Sequence, residues 1–226
     1  MLLTLQASKP GMETGEMIEI DYVGKTDGEI FDLTVQEKAE EAGLDTSNIE
    51  LEPMKVLLGE NYIIPGLEDA LMDMEVGEEK ELEIEAEEAY GKRDSENIDT
   101  FPESAFEEQG VQVRPGEEIM VGGKRGKVVS KGSGRVRVDF NHPLAGKDLE
   151  YWVKIVRKVE DDEEIAEGIV DHRLGHGEVE FEEDTVTVVH KHEHDGHSHT
   201  LSDEFKERLT EEITEYTDFE EVKFEE

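Results

Sequence analysis

One stretch of closely spaced turn and apolar residues, 59–91, constrains the fold of this chain more than any other segment. It reads Gly-Glu-Asn-Tyr-Ile-Ile-Pro-Gly-Leu-Glu-Asp-Ala-Leu, continues through Met-Glu-Val-Gly-Glu and ends in Ala-Tyr-Gly. The first part predicts a turn, a short apolar entry and a helix of one to two turns. Apolar residues recur there at i, i+3, i+4 and i+7, which indicates a helix face packed on a sheet; they are Leu67, Ala70, Leu71 and Met74.

Strand patterns surround this helix. Apolar and polar residues alternate in four segments, the period of a half-buried strand, near Ile18–Tyr22, Met54–Leu58, Leu82–Ala86 and Tyr151–Ile155. A short exposed helix is predicted within 35–50, ending at Gly43. We therefore expect an α+β fold in which the central helix faces a sheet.

The order of these motifs is similar to that of a known family. Asp21-Tyr22-Val23-Gly24 and Asp27-Gly28-Glu29-Ile30-Phe31-Asp32 precede the run at 59–91, and together they resemble the FKBP family of peptidyl-prolyl cis/trans isomerases. The resemblance implies an antiparallel β-sheet wrapped on a short helix, built from residues 17–95 and 141–160. Residues 1–16 are expected to be a loose tail, with Met12 or Met17 as an alternative start.

About fifty residues stand where a minimal FKBP domain needs only a short loop. Apolar alternation and Gly-bounded turns predict that residues 96–140 form a small β-rich module of their own. The return segment, Asn141 to Leu149, is similar to that of SlyD-type members. The resemblance implies an inserted chaperone domain, the insert-in-flap domain.

The family resemblance also implies an isomerase site. Tyr22, Phe31 and Tyr151 would form aromatic walls, with Asp32 at the polar rim. Ile64 would offer its backbone N–H and Tyr90 its hydroxyl. Substrate would further contact Met54, Ile63 and Leu67. Many members carry tryptophan at the position of Leu67 and phenylalanine at those of Met54 and Tyr151, so macrolide affinity is expected to be weakened more than isomerisation.

Such a site needs no nucleophile, metal or cofactor. An X-Pro bond rotates over a barrier of ~18–20 kcal/mol, and a dry aromatic pocket disfavours the planar, hydrated amide relative to the twisted one. The resulting function is X-Pro isomerisation in unfolded or nascent polypeptides. Two alternatives stay open: a holdase chaperone with little isomerase activity, and a metal-binding protein.

The inserted module offers a surface for unfolded chains. Phe101 and Met120 are the residues expected to contact substrate there, since methionine suits promiscuous binding. Val136, Val138 and Phe140 are interpreted instead as the module's own core.

Residues 161–226 form a C-terminal α/β extension after an acidic linker, 160–164. Strands are predicted around Val186–Val188 and at Val222–Phe224, with a helix capped by Thr200 or Ser202 between them. The helix carries an apolar stripe, Phe205, Leu209 and Ile213. The extension has too few apolar residues to form a stable core alone, so we expect it to dock either on the rest of the chain or on a second copy. The resemblance to long archaeal FKBPs implies a homodimer.

Five imidazoles fall within ten residues of the extension. Neutral imidazole is a good ligand for zinc or nickel, so metal binding is predicted at His190, His192, His194, His197 and His199. The alternative is a polar hairpin between strand and helix.

The charge of the chain restricts its partners and setting. Sixty-one acidic and 23 basic residues give a formal net charge of −38, which repels nucleic acid and anionic membranes. We favour a folded protein from the salt-rich cytoplasm of a halophilic archaeon over an ordinary acidic protein, because salt screens such charge. Cysteine is absent, and no apolar run approaches the ~20 residues of a membrane span, so a cytoplasmic location is expected.

Overall fold

The computed structural model describes residues 11–47, 49, 51–175, 177–190 and 201–225. The chain divides into two compact units, a first unit of residues 1–83 with 150–226 and a second unit of residues 84–149. The predicted module, 96–140, lies inside the second unit. In chain order the elements are β1 (Met17–Thr26), β2 (Glu29–Leu33), α1 (Gln36–Glu41), β3 (Met54–Leu57), α2 (Pro65–Met72), β4 (Glu79–Ile84), β5 (Ile98–Pro102), α3 (Glu103–Glu107), β6 (Glu118–Val121), β7 (Lys124–Gly132), β8 (Arg135–Asp139), β9 (Leu149–Val159), α4 (Asp162–Leu174), β10 (Glu178–Glu182), β11 (Thr185–Val189), α5 (Asp203–Tyr216) and β12 (Glu221–Glu225).

The main sheet of the first unit is organised around β1. This strand pairs antiparallel with β9 along its whole length, while its other edge is shared by β3 and β2. β4 follows β9 at the sheet edge. The predicted α+β fold with an antiparallel sheet is confirmed.

Helix α2 packs as its periodicity predicts. Pro65 occupies the first helical turn, where its missing N–H leaves no helical hydrogen bond unmade. Leu67, Leu71 and Met74 are buried.

The acidic stretch expected as a linker is instead the start of helix α4. The side chain of Asp161 accepts a hydrogen bond from the Glu164 N–H at 3.1 Å, which caps the helix. Acidic residues fill its first turn, where the helix dipole favours negative charge. The same composition that suggests a solvated linker therefore also suits a helix N-terminus.

The C-terminal extension docks on its own chain. In its sheet β11 lies between β10, antiparallel, and β12, parallel. Ser202 caps α5 by accepting from the Phe205 N–H, and Leu209 and Ile213 are buried. On α4, an added Cβ at Gly168 would lie 2.8 Å from the sulfur of Met17 on β1. The extension thus packs on its own chain, one of the two arrangements predicted from the sequence, and the homodimer stays a prediction.

The second unit has a core of its own. Its sheet runs β5-β8-β7-β6. The buried residues are Phe106, Val113, Val128, Val136 and Val138, with Phe101, Ile119, Val121 and Phe140 packed against them. The interpretation of Val136, Val138 and Phe140 as core residues is confirmed. Among the described residues, no helix is long and apolar enough to cross a membrane.

Candidate active site

Three aromatic side chains meet on one face of the first unit's sheet. Tyr22 comes from β1, Phe31 from β2 and Tyr151 from β9. The ring centroid of Tyr151 lies 6.1 Å from that of Tyr22 and 5.9 Å from that of Phe31, the latter edge to face. These are favourable aromatic distances, so all three predicted wall residues lie together.

A glycine between the strands makes this cluster possible. Gly24 of β1 pairs with Asp32 on one side and Tyr151 on the other. A Cβ at Gly24 would lie 2.7 Å from Cζ of Phe31 and 3.2 Å from Cε1 of Tyr151. The bare backbone thus leaves room for both rings. The sequence places Gly24 beside Tyr22 but gives no sign of this packing role.

The polar rim of the cluster is a tyrosine–carboxylate pair. The Tyr22 hydroxyl donates to Oδ2 of Asp32 at 2.7 Å, and the Leu33 N–H donates to Oδ1 at 2.9 Å. Asp32 is exposed, whereas Tyr151 is only 6% exposed. The carboxylate therefore orients the Tyr22 ring at the solvent boundary of an otherwise apolar surface.

Ile64 stands just before α2 with its carbonyl engaged. That carbonyl accepts from the N–H groups of Leu67 (3.0 Å) and Glu68 (3.1 Å). Within the described part of the chain, the Ile64 N–H itself makes no hydrogen bond. The role in substrate binding that the family resemblance implies for this N–H stays a prediction.

The other residues of the first unit that are predicted to contact substrate are Leu67, Ile63 and Met54. Leu67 is buried and Ile63 half-buried. Met54, on β3, lines a groove of about 930 Å³ with residues of α4 and β10, among them Gly168 and Val179. Roles for Met54 and Ile63 in substrate binding stay predictions.

Tyr90 belongs to the second unit, where it stacks on His142. The two rings lie 3.9 Å apart and within 7° of parallel. His142 Nδ1 also accepts from the Leu144 N–H at 3.2 Å, so this histidine is a turn residue, as interpreted, and an aromatic partner as well. Nothing in the sequence signals the stack, because 52 positions separate the two residues.

The two predicted substrate contacts of the inserted module differ in exposure. Phe101 is half-buried and meets Phe106 and Phe140 edge to face, at 6.0 and 6.2 Å. Met120 is 64% exposed. Met120 is therefore the better placed of the two to contact a bound chain.

Of the five histidines predicted to bind metal, four lie outside the described residues: His192, His194, His197 and His199. His190 follows β11, is buried, and its backbone N–H donates to the Glu225 carbonyl at 2.8 Å. Within the described ranges no three His, Asp or Glu side chains are placed to hold a metal ion.

The sequence reasoning missed a polar cluster that joins the extension to the sheet domain. Tyr62 stacks on His172 at 3.6 Å and donates its hydroxyl to Glu212 at 2.9 Å. Arg173 holds the same carboxylate through two hydrogen bonds, of 2.7 and 2.8 Å. Burial, then the charge of Glu212, raise the pKa of Tyr62, and the hydrogen bond to Glu212 raises the pKa of Arg173.

Comparison with known proteins agrees with this fold. The family model for FKBP-type peptidyl-prolyl cis-trans isomerases matches residues 9–121, and the model for the FKBP26 IF domain matches residues 101–144. The chain is 34% identical over 144 residues to a short-type peptidyl-prolyl cis-trans isomerase of Methanocaldococcus jannaschii, covering 64% of this chain and 92% of that protein. It is 33% identical to a SlyD of Helicobacter pylori, covering 61% and 76%, and 31% identical to that of Escherichia coli, covering 62% and 74%.

This chain belongs to the FKBP-type peptidyl-prolyl cis-trans isomerase family. Its likeness to SlyD proteins and its inserted IF domain confirm the SlyD-like form predicted from the sequence. The prediction of a peptidyl-prolyl cis-trans isomerase is likewise confirmed.

Proposed function

We propose that the chain accelerates X-Pro rotation in unfolded or nascent polypeptides by binding proline against Tyr22, Phe31 and Tyr151, with no cofactor. The single observation that carries this proposal is the cluster of three aromatic rings around Gly24 beside the Asp32 carboxylate. The Ile64 N–H would orient the peptide backbone, and the Tyr90 hydroxyl is a second donor implied by the family.

The site needs to lower the barrier to X-Pro rotation only moderately. Twisting the amide removes its resonance and makes its carbonyl less polar, so an apolar surface favours the twisted form. Lowering the barrier by about 5 kcal/mol would raise the rate by a factor on the order of several thousand. Shape and desolvation can supply that without covalent chemistry.

The test is a protease-free measurement of cis/trans exchange in an X-Pro peptide in molar KCl. Phe31→Ala and Tyr90→Ala should each lower kcat/KM at least tenfold, whereas Tyr22→Phe keeps the ring, removes only the hydroxyl, and should lower it less. Full activity in a folded Phe31→Ala protein would reject this pocket. A folded native chain without activity would favour the holdase alternative.

The second unit is proposed to hold unfolded chains. Met120, Val129 and Val111 are exposed apolar residues there, and such residues suit binding to partner chains. Met120→Glu should weaken the suppression of aggregation of an unfolded protein and leave X-Pro peptide exchange unchanged. Suppression undiminished in this variant, or equally diminished by Val76→Glu in the first unit, would reject Met120 as a binding residue.

Metal binding by the histidine segment stays a separate proposal. Calorimetric titration with Ni²⁺ or Zn²⁺ should show binding that is lost when 191–199 is replaced by a Gly/Ser linker of equal length. Unchanged binding after that replacement would reject the proposal.

A further inference from the structure

The second unit differs sharply from the rest of the chain in charge. Residues 84–149 contain ten Lys and Arg against thirteen Asp and Glu, a net charge of −3 out of the chain's −38. Within them, residues 119–138 hold six Lys or Arg and no acidic residue at all. A segment of positive charge departs from the acidic composition of the rest of the chain, so we expect a function that uses this charge.

The strand register gathers these cations on one face of the sheet. On β7, Gly126 and Val128 point into the core while Arg125 and Lys127 are exposed. β8 repeats the alternation, with Val136 and Val138 buried and with Arg135 and Arg137 exposed. Arg137 pairs with Ser130 of β7 and Arg125 with Met120 of β6, so the exposed face carries cations on β7 and β8 and an apolar side chain on the neighbouring β6.

Most of these cations make no ion pair with another residue that the structure describes. Arg125 approaches Glu118 only at 4.0 Å, and Lys131 pairs with Glu103. Among the residues that the structure describes, Lys127, Arg135 and Arg137 make no ion pair, although acidic residues outnumber basic ones by more than two to one.

Exposed apolar side chains and a groove lie near these cations. Met120 and Val129, 64% and 39% exposed, lie on the same strands. A groove of about 730 Å³ in this unit is lined by cations and apolar groups together, including Arg93, Arg125, Lys127, Val129 and Phe140. β6 lies at the sheet edge, where an extended chain can add as a further strand.

We infer that the exposed face of β6, β7 and β8 binds acidic segments of unfolded polypeptide. The inference rests on the proposed holding of unfolded chains and specifies which chains are held. An acidic client would be repelled by a surface of uniform negative charge, and opposite charge on the binding face removes that repulsion. Met120 and Val129 would contact the client's apolar side chains, and the cations would contact its carboxylates.

The experiment compares two unfolded, proline-containing peptides that differ only in carrying glutamate or glutamine at the same positions. Binding is measured by fluorescence anisotropy to the full chain at about 0.1 and 1 M KCl, where the Debye length is ~10 and ~3 Å. The test variant is Lys127→Gln/Arg135→Gln/Arg137→Gln. The control, Lys80→Gln/Arg208→Gln/Lys223→Gln, removes three exposed cations from the first unit and changes the net charge equally.

We expect the glutamate peptide to bind native protein and control roughly tenfold more tightly than the glutamine peptide at the lower salt, since each exposed charge pair contributes a few-fold. The test variant should lose this preference while retaining exchange of a short X-Pro peptide. Equal binding of both peptides by native protein would overturn the inference and leave the proposed chaperone function standing. Absence of binding to either peptide would reject both. Tight binding of a single-stranded oligonucleotide without a glutamate preference would overturn it in favour of a nucleic-acid surface.

Discussion

At the scale of single residues, the aromatic site depends on what Gly24 lacks. Its backbone conformation is ordinary for a strand, and the requirement for glycine comes from the closeness of Phe31 and Tyr151 rather than from φ. Asp32 then fixes the third ring through the hydroxyl of Tyr22. The site is therefore shaped by packing at one position and by one hydrogen bond.

Gly24→Ala should disturb the site more than the fold. The added methyl forces Phe31 or Tyr151 to move, and such overpacking costs about 1–3 kcal/mol. We expect kcat/KM for an X-Pro peptide to fall about tenfold or more, with a modest loss of Tm. Gly132→Ala is the control, because its Cβ would meet nothing within 4 Å. Equal kcat/KM in the two variants would contradict the packing role of Gly24.

The sequence predicts the residues of the aromatic site but not their packing. Tyr22, Phe31 and Tyr151 follow from the family motifs, and strand alternation puts them in the sheet. The room between them follows from strand register, which a single sequence does not specify. The stack of Tyr90 on His142 is likewise not predictable from the sequence, because it depends on the path of the intervening chain.

At the scale of elements, the extension is joined to the sheet domain by helices α4 and α5. Glu212 of α5 receives the Tyr62 hydroxyl and the Arg173 guanidinium, and His172 of α4 covers the Tyr62 ring. The Tyr216 hydroxyl donates to Glu60 at 2.7 Å, and this hydrogen bond raises the pKa of Tyr216 to about 12. The Tyr62–Glu212 and Glu60–Tyr216 hydrogen bonds span 150 and 156 positions in the chain, beyond the reach of any local sequence pattern.

Helix α4 shows why an element itself can escape prediction. Its N-terminus is a run of acidic residues typical of a solvated linker, and its interior includes Gly168, a poor helix former. Yet Gly168 is buried between Met17 and Lys55, where a side chain would clash. Tertiary packing thus overrides both local signals.

Acidification should loosen this docking. Burial, with the nearby charge of Arg173, lowers the pKa of His172 from its ordinary 6.5. Below pH 6.5 the His172 imidazole of the unfolded chain binds a proton, whereas that of the folded chain stays neutral until the pH reaches its lowered pKa. The contribution of His172 to the free energy of unfolding is therefore complete above pH 6.5 and is lost as the pH falls toward the lowered pKa. Between about pH 7.5 and 5.5 the native protein should lose a few degrees more of Tm than His172→Phe, which keeps the stacking and removes the titration. An identical pH profile in the two proteins would contradict the coupling.

At the scale of the whole molecule, charge governs stability. The formal net charge of −38 lies mainly on the first unit, since the second carries only −3. Self-repulsion of this size opposes compaction unless salt screens it. The family motifs and the apolar alternation predict the fold class and the separate module. The gathering of cations on one exposed face of the second unit depends on strand register, which the sequence alone does not specify.

Salt should therefore stabilise the chain. Raising KCl from about 0.1 to 1 M shortens the Debye length from ~10 to ~3 Å and weakens the repulsion between carboxylates. We expect Tm to rise by several degrees, and to rise similarly in NaCl. A calorimetric scan in which Tm stays constant or falls would contradict the view of a protein suited to a salt-rich setting.

The most direct test of the isomerase account is the exchange rate of an X-Pro peptide, measured by NMR line shape for native protein and Phe31→Ala in both H₂O and D₂O. Rotation driven by desolvation and shape moves no proton, so the account predicts a kcat/KM ratio between the solvents of about 1. It also predicts a loss of at least tenfold in Phe31→Ala. A ratio well above 1 in the native protein, or undiminished exchange in the folded variant, would contradict it.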